Sequence, residues 1–156
     1  MKIILIAAVC IFILIITYFI VLGIQSKSGP IPGLINGKLT KCPEKPNCVC
    51  SEFKEDSAHF VQPIVFQNEA IIGIEVIKEI VVEMGGVVDS ESDQYLAATF
   101  SSNLFGFVDD FEIRIDSDQK NIQLRSASRV GKSDLGANLK RVDQFKSLMA
   151  SVDNTD

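Results

Sequence analysis

Cys42, Cys48 and Cys50 stand close together, and His59, the only histidine, follows shortly after them. A Cys-x5-Cys loop can close as a disulfide in an oxidising compartment, which leaves Cys50 as an odd thiol. The same cysteines could stay reduced and inert. Three cysteines with a histidine also raise a metal site, although the common zinc modules use short paired ligands, a spacing absent here. The disulfide Cys42–Cys48 is the reading taken, with no metal and no cofactor assigned.

A second set of residues lies downstream. Arg125, Arg129 and Arg141 carry planar forks suited to phosphate or carboxylate. Asp109 and Asp110 could orient them, and Ser126, Ser128 and Asn138 add hydrogen-bonding groups. The reading is an anionic ligand site made of these eight residues. Against it stands a plain alternative, a solvated row of cross-strand ion pairs contributing about 0.2–1 kcal/mol each. A third chemistry, hydrolysis, would pair His59 with Asp109 or Asp110. The chain has no phosphate-binding glycine loop, no HExxH and no nucleophile elbow. With 15 basic against 20 acidic residues, a broad nucleic-acid surface is not expected either.

These residues must be positioned by strands. Ser117-Asp118-Gln119-Lys120 predicts a turn between strands Phe107–Asp116 and Asn121–Val130. Pairing Ser117 with Lys120 sets Glu112 opposite Arg125, Arg114 opposite Gln123 and Val108 opposite Arg129. One face then carries Phe107, Phe111, Ile113, Ile115, Ile122 and Leu124, the expected core side. Asp110, Glu112, Arg114, Arg125 and Arg129 take the other. Asp109, Ser126 and Ser128 fall on the core side, a polar cluster where apolar residues are expected.

Further strands are expected at Gly86–Asp89 and Gln94–Ser102, with a short one in His59–Phe66 held to an edge by Pro63. Cys42 to Ser51 reads as a loop. A helix capped by Asn68 runs through Met84 on Ala70, Ile74, Ile77, Val81 and Met84, and stops at Gly85-Gly86. Ser133 or Asp134 caps a last helix with the stripe Leu139, Val142, Phe145 and Met149. The fold class is α+β, an antiparallel sheet with two helices on one face.

The N-terminus supplies one more element. Ile3–Ile24 is apolar and uncharged, and as a helix it reaches roughly 33 Å against about 30 Å of hydrocarbon. It reads as a single-pass transmembrane anchor over residues 1–24, longer than a signal-peptide core, and Cys10 comes too early for a lipoprotein. Residues 25–38, with Pro30 and Pro32, read as a tether, and residues 39–151 as the soluble domain. Lys2 favours an inside N-terminus while Lys27, Lys38 and Lys41 pull the other way. The cysteine loop tips the expectation to an extracytoplasmic, periplasmic domain.

Three stretches carry a resemblance over Leu39 to Met149. They are Cys42-Pro43-Glu44-Lys45-Pro46-Asn47-Cys48-Val49 with Ser51 and His59, Leu104-Phe105-Gly106-Phe107-Val108-Asp109-Asp110, and Arg125 through Gly136 with Asn138 and Arg141. The chain resembles the bacterial and plant family called domain of unknown function 1499. The resemblance implies a frequent N-terminal membrane segment and says little about activity. Cys50 stands where that family usually has Ser. The function expected is an envelope binding or assembly module, with an anionic small molecule or lipid headgroup as partner besides the membrane.

Overall fold

The computed structural model describes residues 1–66 and 73–153. Its elements in chain order are α1 (Lys2–Ser26), β1 (Leu34–Ile35), β2 (Lys38–Leu39), β3 (Cys48–Cys50), β4 (Ile64–Val65), α2 (Ile74–Glu83), β5 (Val87–Ser92), β6 (Tyr95–Ser101), β7 (Val108–Asp116), β8 (Asn121–Ser128) and α3 (Ala137–Asp153). The fold is α+β, as the sequence predicts.

Six strands make one antiparallel sheet in the order β3-β8-β7-β6-β5, with β4 also paired to β8 beyond β3. The β7–β8 hairpin has the predicted register, with Glu112 opposite Arg125 and Arg114 opposite Gln123. Its turn closes with Lys120 in the left-handed region and the Gln119 N–H donating to Asp116 Oδ1 at 3.0 Å. Pro63 precedes β4, which sits at an edge where a missing N–H is tolerated. Cys48–Cys50, expected within a loop, is instead strand β3, paired with Arg125, Ser126 and Ala127 of β8.

Period-two alternation drives β7 and β8 to bury Phe111, Ile113, Ile115, Ile122 and Leu124 on one face. Helices α2 and α3 cover that face through Ile77, Ile80, Val81, Val142, Phe145 and Met149. Two expectations change here. Leu139 points to solvent, so the α3 stripe begins at Val142. Phe107 lies outside this core and meets Phe105 and Phe19 edge-on. Helix α2 is capped by Gly73 in extended conformation, while Asn68 and Ala70 lie outside the described residues. It ends where the Gly86 N–H reaches back to the Val81 carbonyl at 2.9 Å. At the start of α3, Asp134 accepts from the Asn138 N–H at 2.8 Å and the Gly136 N–H at 3.1 Å, the predicted cap.

Segment 25–38 is held against the domain at several points. Ser26 is buried; its hydroxyl donates to the Gly23 carbonyl at 2.7 Å and accepts the Val108 N–H at 2.9 Å. Gly33 N–H donates to Glu112, and β1–β2 forms a small hairpin ending in buried Leu39. This segment makes a second layer against the sheet, where Leu39 and Cys42 cluster with Cys48 and Cys50 of β3 and Ala127 of β8, and Tyr95 of β6 packs beside them. The sheet is therefore covered on both faces.

Helix α1 has 25 residues, and an 18-residue stretch within it has a mean hydropathy of 3.2, long and apolar enough to cross a membrane. Its outer length is exposed and its last turns dock on the domain. Phe19 stacks on Phe105 with ring centroids 5.3 Å apart. Gly23 meets the Phe105 backbone so closely that a Cβ there would collide with the carbonyl oxygen.

Candidate functional site

The charged face of β7–β8 is not solvated, which corrects the plain alternative. Glu112 is 0% exposed and Arg125 5%. Glu112 accepts from Arg125 Nη1 at 2.7 Å, the Tyr95 hydroxyl at 2.8 Å and the Gly33 N–H at 3.0 Å. The physical reason is the covering layer from segment 30–42, which the strand pattern alone does not reveal. Arg129 Nε donates to Asp110 Oδ1 at 2.7 Å, and its Nη1 reaches the Ser26 carbonyl at 3.4 Å. Arg114 makes a two-pronged contact to Glu52 at 2.8 and 3.2 Å. Burial raises the carboxyls of Glu112 and Asp110 above the usual carboxylate range, against the pull of their arginines. Burial, then the Glu112 carboxylate, raises the Tyr95 phenol strongly.

The opposite face carries a second network at the same end of the hairpin. Arg141 donates to Asp109 Oδ2 at 2.8 Å, to the Ser126 hydroxyl at 2.8 Å and to Asn138 Oδ1 at 2.6 Å. Asn138, fully buried, donates on to the Ser128 hydroxyl and the Asn47 carbonyl, both at 3.0 Å. The Arg141 guanidinium also lies 4.6 Å from the Phe100 ring centroid. The eight residues singled out from the sequence thus fall into two networks on opposite faces. Asp110, Arg125 and Arg129 take one; Asp109, Ser126, Ser128, Asn138 and Arg141 take the other. Each of the three arginines is bonded to a carboxylate.

The cysteine loop is closed by the disulfide Cys42–Cys48, with Cα atoms 5.7 Å apart. Cys50 is a buried free thiol, pushed up to about 11 by its burial. Among the described residues no group of three or more Cys, His, Asp and Glu is placed to hold a metal. His59 Nδ1 lies 2.9 Å from Asp56 Oδ1 and Nε2 lies 3.0 Å from the Lys45 carbonyl. Its carboxylate partner is therefore Asp56, while Asp109 and Asp110 are bonded to Arg141 and Arg129.

A cavity of about 500 Å³ lies between α1 and the two loops that flank β7 and β8. Tyr18, Phe19 and Leu22 form its helix wall, and Leu104, Phe105 and Phe107 a second apolar wall. The third side runs from Ser128 to Leu135 and supplies Lys132, Ser133 and Asp134. Of the eight expected site residues, Asp109 and Ser128 reach the lining. Arg141 and Asn138 bond Asp109 and Ser128 from behind the lining, and Asp110, Arg125 and Arg129 lie on the other face of the sheet. Sequence reasoning missed the helix wall, because nothing in an apolar segment says which turn docks on the domain. The other walls fall inside the motifs Leu104–Asp110 and Arg125–Gly136.

The fold and cavity define a small α+β domain built directly onto the last turn of an apolar N-terminal helix. The chain belongs to the DUF1499 family, a protein family of unknown function, whose model matches residues 38–149. No curated protein and no solved structure matches the chain.

Proposed function

We propose that the chain is a single-pass membrane protein of the cell envelope, and that its domain binds an anionic amphiphile in the cavity beside α1. The supporting observation is the composition of the walls. The cavity is mostly apolar, one wall belongs to the membrane-length helix, and its polar lining holds Lys132, Ser102, Ser128 and Ser133 with Asp109 and Asp134. Those two carboxylates are already engaged, by Arg141 and by the Gly136 and Asn138 N–H groups. Lys132 is the cation that meets the ligand. Arg141 holds the wall through Asp109, while Arg125 and Arg129 are tied to Glu112 and Asp110 on the other face of the sheet. The disulfide supports an extracytoplasmic domain, because such bonds persist in oxidising compartments.

The test is photolabelling of the full chain in phosphatidylcholine vesicles doped with a diazirine-bearing phosphatidic acid. The reading expects adducts on residues 102–109 and 128–137, and about tenfold less labelling after Lys132→Gln. Labelling confined to the outer length of α1, or unchanged by Lys132→Gln, overturns it.

A further inference from the structure

Helix α1 and the loops packed against it constrain each other in height. A hydrocarbon core of about 30 Å needs about 20 helical residues. If the bilayer ended below Phe19, Ile3 to Tyr18 would offer about 16 residues, or roughly 24 Å, short by about 6 Å. Tilt would widen the gap. An apolar layer matched to the helix without thinning the bilayer therefore rises past Phe19 toward Leu22. At that height the helix is not bare. Phe105 stacks on Phe19, and its backbone sits against Gly23.

Two loop tips flank the same cavity. Leu104 is 82% exposed and Leu135 is 91% exposed. Leu135 is also in the left-handed region at φ +54°, a conformation a leucine rarely adopts. Backbone strain held so as to present an apolar side chain outward calls for an apolar surrounding. Lys27 lies over Gly106, and Lys132 stands on the other loop, cations suited to phosphate groups just above.

We infer that the loops 102–107 and 131–136 are sunk into the same leaflet that α1 crosses, so that the cavity opens at the boundary between headgroups and acyl chains. This rests on α1 spanning a bilayer, the reading proposed above. The cavity then fills sideways from the leaflet, and its ligand class is a phospholipid of that leaflet rather than a free phosphate.

The chain contains no tryptophan, so single reporters give clean signals. Ile13→Trp, Leu104→Trp, Leu135→Trp and Val87→Trp are placed separately in the full chain and reconstituted in phosphatidylcholine–phosphatidylglycerol vesicles. Val87 is an exposed control on β5, at the far edge of the sheet. The expected result is quenching of Leu104→Trp and Leu135→Trp by lipids brominated high on the acyl chain. Both should also be several-fold less accessible to iodide than Val87→Trp. Ile13→Trp should respond to deep bromines. Loss of the Ile13→Trp response overturns the anchor and the seating together. With Ile13→Trp quenched, iodide access at Leu104→Trp and Leu135→Trp equal to that at Val87→Trp overturns the seating alone. Shielding from iodide without bromine quenching means that a second copy covers the loops, and it also overturns the seating.

Discussion

Arg125 and Glu112 meet at 2.7 Å across the β7–β8 pair, with both side chains in the interior. Neither charge could stay there alone, because an unpaired buried ion costs several kcal/mol. The covering segment contributes through Gly33, and β6 through Tyr95, so three separate parts of the chain converge on one carboxylate.

Glu112→Leu and Arg125→Met are each expected to destabilise the chain by about 3–5 kcal/mol. The double variant should cost less than the sum by about 2 kcal/mol or more. Urea denaturation of the full chain in detergent measures the cycle. Simple additivity would show that the two charges do not depend on each other.

Ser26→Ala removes the acceptor of the buried Val108 N–H and should cost about 1–3 kcal/mol. Hydrogen exchange gives the local readout, with the Val108 amide losing protection while β8 amides facing β7 keep theirs. Unchanged protection at Val108 would mean that another acceptor serves it.

The disulfide closes a loop of sequence separation 6, so its loss through Cys42→Ala with Cys48→Ala should cost about 2 kcal/mol. Mass spectrometry of the unreduced protein should find Cys42 joined to Cys48, with Cys10 and Cys50 as free thiols. A peptide linking Cys50 to either partner would contradict the arrangement.

Cys50 gives a pH dependence with a definite sign. Its folded thiol ionises near 11 against an ordinary value of 9.0. Below about pH 9 neither state ionises it and it contributes nothing. Between those values the unfolded chain releases the proton and the folded chain keeps it, so stability falls as pH rises. The loss approaches about 3 kcal/mol near pH 11. Measured against Cys50→Ser, the wild-type chain should lose stability over this range while the difference stays constant below it. A flat difference throughout would show that the thiol is open to water.

The hairpin register was legible because a one-residue slip of β7 would turn Glu112 and Arg114 onto the apolar face beside Ile122 and Leu124 and turn Phe111 and Ile113 away from it. The Asp134 cap was legible from local chemistry alone. The second layer was not. Alternation separates two faces of a strand and is silent on whether the polar face is wet. A row of charges satisfied in the interior reads the same as one in solvent. The candidate site was half legible for a related reason. Asp109 and Ser128 stood out as polar residues on an apolar face, whereas Leu104, Phe105 and Leu135 look like ordinary apolar residues until the docked helix is seen beside them.

The joint at Ser26 makes α1 and the sheet a single lever. Val108 and Arg129 both bond Ser26, and Phe105 fills the space that Gly23 leaves. Where α1 crosses a bilayer, a change in thickness that leans the helix leans the domain by the same angle. The far edge at β5 swings through the widest arc. Orientation of the domain thus becomes a readout of the lipid beneath it.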